Sequence, residues 1–105
     1  MKKGVILLSF LAITTLQAAT SEYYCYLDYH YNGFKEQIKI TINDKKSAIV
    51  KMLEGNPAQH YYTYVGRGGQ GIDVYGSNEG KGMIFVKDNV VAGKNVAGIE
   101  ITDCK

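Results

Sequence analysis

Tryptophan is absent from the 105-residue sequence, proline occurs once and cysteine twice. No segment carries an apolar repeat of 3.6 residues, so no amphipathic helix is signalled. The two histidines, His30 and His60, and the two cysteines form neither an H-x-x-x-H nor a C-x-x-C spacing, so no metal site is expected. The histidines read as scattered surface residues. No apolar run reaches the roughly 20 residues that a spanning helix needs.

A charge excess is missing too, once the N-terminus is set aside. Met1-Lys2-Lys3 is a short basic head, Gly4 to Leu16 is mostly apolar, and Leu16-Gln17-Ala18-Ala19 ends in small residues. That is the layout of a secretory signal peptide, expected over residues 1–19 with cleavage after Ala18 or Ala19. The competing reading, a membrane anchor, meets the length limit just given. No Cys follows the run, so no lipid-anchored residue is expected at the new N-terminus. Without Lys2 and Lys3 the basic residues fall from 12 to 10, against 10 acidic ones. The mature chain is then formally neutral, with no net field to draw nucleic acid or an anionic membrane. About 86 residues remain, one small domain over 20–105.

A domain of that size has a thin margin between burial and chain entropy, and exported ones often add a covalent tie. Cys25 and Cys104 stand near the two ends of the mature chain. Their pairing is the expectation, with two free thiols or an intermolecular bridge as the alternatives. A bond closing a loop of about 80 residues would stabilise by roughly 4 kcal/mol in the chain-entropy description. It would also make the terminal strands neighbours, which favours a closed or nearly closed barrel.

What the chain does have is short runs with a period of two. Tyr23, Cys25, Leu27, Tyr29 and Tyr31 share one parity, and this set is predicted to face inward as far as Leu27. Asn32-Gly33 is a turn signal. Gln37 to Asn43 alternates cleanly, with Ile38, Ile40 and Ile42 on one face. Ala48 to Leu53 is apolar on both parities except at Lys51, and a short helical turn is allowed near Pro57–Gln59. Tyr61–Val65, Ile72–Tyr75 and Met83–Val86 are three further runs separated by Gly66–Gly71 and Gly76–Gly82. Val90–Ala92, the break Gly93-Lys94-Asn95 and the run Ile99 to Cys104 complete the chain. Cys104 has the parity of Glu100 and Thr102 rather than of Ile101, so a bulge near Thr102–Asp103 or a disulfide at the rim is required. The predicted fold is all-β, an antiparallel barrel or sandwich of seven to eight strands.

Motif matches mostly fail on context. Gly66-Arg67-Gly68-Gly69-Gln70-Gly71 fits G-x-G-x-x-G, but a strand-like Ile72-Asp73-Val74-Tyr75 follows where a dinucleotide site needs a helix. No cofactor is expected. One Arg-Gly-Gly in a neutral exported chain is no RNA-binding tract. Ser77 lacks a G-x-S-x-G setting, and Glu54, Asp73, Glu79 and Asp88 are scattered, so no catalytic residues are assigned and no enzyme is expected. Function is expected on the two glycine-rich loops instead. The predicted partner-binding residues are Arg67, Gln70, Ser77, Asn78, Glu79 and Lys81, with Tyr64 and Tyr75. Nine tyrosines stand in for the missing tryptophan. Part of this set is expected to pack the core and part to form a protein-binding face.

The sequence also resembles the exported inhibitors of C-type lysozyme found in Gram-negative bacteria. The shared features are the opening Tyr23-Tyr24-Cys25, the closing Cys104 and the unit Gly71-Ile72-Asp73-Val74-Tyr75-Gly76-Ser77. Ile84-Phe85-Val86-Lys87 follows it after a polar loop. The chain departs from that family in its loops. Gly66-Arg67-Gly68-Gly69 stands nearest the family's Ser-Ala-Ser-Gly, Gly76 replaces the Trp before the Ser, and the Lys-Gly pair comes later, as Lys81-Gly82. The resemblance implies a small β-barrel in the periplasm or secreted, which pushes a hydroxyl and a cation into the acidic cleft of a lysozyme. Two other readings stand beside it: an immunity protein or other binder of a different periplasmic toxin or hydrolase, and a structural or adhesive envelope component.

Overall fold

The computed structural model describes residues 19–30, 33–55 and 58–105. Residues 1–18 of the predicted leader, Tyr31 and Asn32 of the first turn, and Asn56 and Pro57 lie outside the described residues. Eight strands follow in order: β1 (Thr20–Asp28), β2 (Lys35–Asn43), β3 (Ser47–Met52), β4 (Gln59–Arg67), β5 (Asp73–Ser77), β6 (Gly82–Lys87), β7 (Val90–Asn95) and β8 (Glu100–Thr102). Each pairs antiparallel with the next and β8 returns to β1, giving a closed barrel rather than a sandwich.

Alternation sets which side chains fill it. Cys25, Ile38 and Ile40 are fully buried, and Ile42, Val50, Ile84, Val91 and Ile101 complete most of the core. Cys25 lies opposite Ile38 and Tyr23 opposite Ile40, so the inward parity of β1 meets the isoleucine stripe of β2. Fully burying such a side chain contributes about 1.5–3 kcal/mol, which makes a one-residue slip in this pair costly. Ala48 to Leu53, apolar on both parities, also resolves by position: Ala48 and Val50 are buried and Ile49 is half-exposed.

The seam between β8 and β1 resolves the parity of Cys104. Tyr26 pairs with Thr102. Beyond it, Tyr24 and Lys105 exchange both backbone hydrogen bonds at 3.0 Å. Asp103 and Cys104 therefore face the single Cys25, a β-bulge with Asp103 at φ 55°. The extra residue turns Cys104 inward, and the Cys25–Cys104 disulfide forms with the Cα atoms 4.1 Å apart.

Several boundaries differ from expectation. β4 runs from Gln59 to Arg67, and Gln59 is strand rather than part of a helical turn; a single 3-10 turn sits at Gly69–Gly71 instead. Gly93-Lys94-Asn95 is strand, not a break. A Cβ on Gly93 would lie 2.7 Å from Ile101 Cδ1 and 2.9 Å from the Met83 carbonyl oxygen. Glycine is there because the Ile101 side chain of the paired strand β8 lies over it, not because the chain turns. β1 stops at Asp28, although the Tyr29 N–H still donates to the Phe34 carbonyl at 3.0 Å.

The disulfide closes 79 residues of sequence. Replacing both cysteines by Ser, or reducing the bond, should lower the unfolding free energy by about 4 kcal/mol, read as a lower urea midpoint. An unchanged midpoint would mean that the backbone ladder alone holds the seam.

Candidate functional site

In a closed meander, successive connections alternate between ends. The β2–β3, β4–β5 and β6–β7 connections lie at one end, and β1–β2, β3–β4, β5–β6 and β7–β8 at the other. The two glycine-rich loops thus lie at opposite ends. Arg67 and Gln70 belong to the first end, Ser77, Asn78, Glu79 and Lys81 to the second. No single partner cleft receives both groups.

The first end is corked. Tyr64 and Tyr75 face each other across β4 and β5, with ring centroids 5.3 Å apart and planes at 60°. Tyr75 is 1% exposed, and its phenolic oxygen accepts the Lys45 N–H at 3.0 Å. Tyr75 is therefore no partner contact: its inward parity places it in the core, where it anchors the β2–β3 turn. Tyr64 is half-buried, and its hydroxyl donates to Asp73 Oδ1 at 2.9 Å.

Asp73 is the buried acid of the fold. Arg67 Nε donates to it at 3.2 Å, and Lys45 Nζ stands 3.8 Å away. A bulge aims the arginine: Tyr64 pairs with Tyr75 and Gly66 with Val74, leaving Val65 as the extra residue in β4. Gly66 sits at φ 148°, which favours glycine. The Arg67 bond holds the Asp73 carboxyl below the usual range, against the opposing effect of burial. The same contacts raise Arg67, while burial and the Asp73 bond raise the Tyr64 phenol. This is a satisfied structural cluster, and it occupies the Arg67 cation.

The second end is open. A cavity of about 210 Å³ enters the barrel there. Leu27, Val50, Met52 and Ile101 form its apolar wall, and His60, Tyr62, Ser77, Glu79 and Lys81 bring polar groups to it. The β5–β6 turn at its rim is short and internally bonded rather than a loose finger. Gly80 N–H donates to the Ser77 carbonyl at 2.9 Å, Asn78 N–H to the Tyr61 carbonyl at 2.9 Å, and Glu79 N–H to Ser77 Oγ at 3.1 Å. The Thr63 hydroxyl donates to Asn78 Oδ1 at 2.7 Å. Glu79 Oε1 lies 3.9 Å from His60 Nδ1. Lys81 is exposed and makes no ion pair among the described residues. Sequence reasoning found Ser77, Glu79 and Lys81, but missed Tyr62 and Met52. Their inward parity marks them, yet only the closed barrel shows that the space beside them stays open. No cluster of His, Cys, Asp and Glu suited to a metal ion occurs among the described residues.

Asp73 has a lowered value in the fold, so its stabilising contribution is complete above the ordinary carboxylate range and is lost as pH falls through that lowered value. The urea midpoint of the wild type should therefore fall more steeply on acidification than that of Asp73→Asn. Parallel pH profiles would show that this carboxylate does not carry the acid sensitivity.

No known protein family matches the chain, and no curated protein and no solved structure matches it either.

Proposed function

We propose that the protein is an exported inhibitor of a C-type lysozyme that docks through its β5–β6 turn. The observation that carries this reading is the different fate of the two candidate cations. Arg67 is engaged by the buried Asp73 at the corked end. Lys81 projects from a compact turn with no acidic partner among the described residues. The Ser77 oxygen accepts the Glu79 N–H, so its hydroxyl proton is left for another acceptor.

A lysozyme cleft offers two carboxylates, one of them protonated, in a groove shielded from water. An ammonium entering such a groove makes a charge-assisted bond that desolvation strengthens, and a hydroxyl beside it bonds the second carboxyl. A turn held by its own hydrogen bonds loses little conformational freedom on docking, which favours affinity. Asn78 lies in the same turn, whereas Gln70 lies with Arg67 at the far end and has no part in this mode.

Purified protein should inhibit C-type lysozymes in a cell-wall lysis assay. Lys81→Ala should weaken inhibition at least about tenfold, Ser77→Ala by a smaller factor, and Arg67→Ala hardly at all. Absence of inhibition of every C-type lysozyme at micromolar protein removes the reading. Loss with Arg67→Ala but not with Lys81→Ala would move the docking surface to the other end.

A further inference from the structure

We propose that the open end of the barrel is a binding site for a short amphipathic carboxylate, with its tail in the apolar cup and its head at the rim. The inference concerns the cavity itself and does not rest on the inhibitor reading.

Size comes first. An eight-stranded barrel is just wide enough for side chains to fill it or for one small ligand to be held. In this barrel the corked half is filled by the Tyr64 and Tyr75 rings, while the other half keeps a cavity of about 210 Å³. At roughly 30 Å³ per water-sized group this accommodates about seven non-hydrogen atoms. That suits a short chain rather than a drug-sized molecule. The wall of Leu27, Val50, Met52 and Ile101 offers a hydrocarbon surface to such a chain.

Polarity decides the head. Tyr62 is half-buried in the cup, and its hydroxyl has no hydrogen-bond partner among the described residues. Its hydroxyl is solvent-accessible at the mouth of the cavity, so it can donate to a ligand head that replaces water there. Of the charged residues that line the cavity, Glu79 is the one acid; it lies 3.9 Å from His60, and burial followed by the Glu79 charge raises the Tyr62 phenol. Lys81 and Lys94 line it as well, and neither has an acidic partner among the described residues. Unmatched charge at the opening is therefore positive. An acceptor bearing negative charge satisfies both the phenol and the lysine, and a carboxylate on an aliphatic tail supplies it.

The test is an NMR titration of isotope-labelled protein with sodium octanoate and, separately, with octylammonium chloride, in the absence of any lysozyme. Octanoate should give saturable shifts centred on Leu27, Val50, Tyr62 and Ile101, with a lower midpoint than octylammonium. Tyr62→Phe, which keeps the ring and so the packing, should raise the octanoate midpoint about threefold to tenfold. Lys81→Ala should raise it by about threefold. Three results would each overturn the proposal: no saturable shift, shifts confined to the outer face around Phe85 and Val96, or octylammonium binding as tightly as octanoate. Tyr62→Phe separates this site from the proposed inhibition, because Tyr62 has no role in lysozyme docking.

Discussion

Closing the sheet through a strand of three residues is the constraint on which the rest of the structure depends. β8 meets β1 over Glu100–Thr102 alone, and meets β7 over fewer positions still. A ladder that short is weak, and an open sheet would expose two unpaired edges. The disulfide, the bulge at Asp103 and the two hydrogen bonds between Tyr24 and Lys105 extend the seam in one direction. At its other end His30 Nε2 lies 2.7 Å from Glu100 Oε1, and Lys35 of β2 reaches across β1 to Asp103 at 3.3 Å. Exposed pairs of this kind contribute about 1 kcal/mol or less, so the covalent bond carries most of the closure.

Closure also creates two unlike ends. Aromatic residues and a buried Asp73 fill one, where Tyr75 bonds to Lys45 and Tyr64 and Arg67 bond to Asp73, while the buried Asn43 Oδ1 at the same end has no partner among the described residues. The other end has aliphatic walls, a compact turn and unmatched donors. The contrast assigns different work to the two halves. Matched groups stabilise and specify the fold, whereas unmatched ones at an opening are available to something that binds. Both functional proposals concern the same end for that reason, one at its rim and one in its interior.

Much of the framework was legible in the residues. The Ile38–Ile40–Ile42 stripe announced a buried face, and all three are buried. Two cysteines far apart in a small domain pointed to their pairing, and the parity mismatch at Cys104 pointed to a bulge or a disulfide at the rim, of which the bulge is present. The site was less legible, because a period of two fixes parity but not depth. Tyr75 has the inward parity of β5, yet its place beneath the β2–β3 turn depends on Lys45, 30 residues away. The bulge at Val65 has no local signature beyond Gly66, and it is what brings Arg67 to Asp73. Gly93 shows the limit of reading glycine as punctuation: its missing Cβ serves strand contact, a fact visible only with Ile101 in place.

Ala19 and Lys105, the two ends of the described barrel, both lie toward the corked end. The Ala19 carbonyl accepts the Asp44 N–H of the β2–β3 turn at 2.9 Å, and Lys105 leaves the barrel beside Tyr24. A solid support, a fluorescent fusion or a membrane tether joined at Ala19 or at Lys105 would therefore be attached behind the plug. The hollow end would point away from the attachment, leaving its mouth unobstructed by whatever the protein is fastened to.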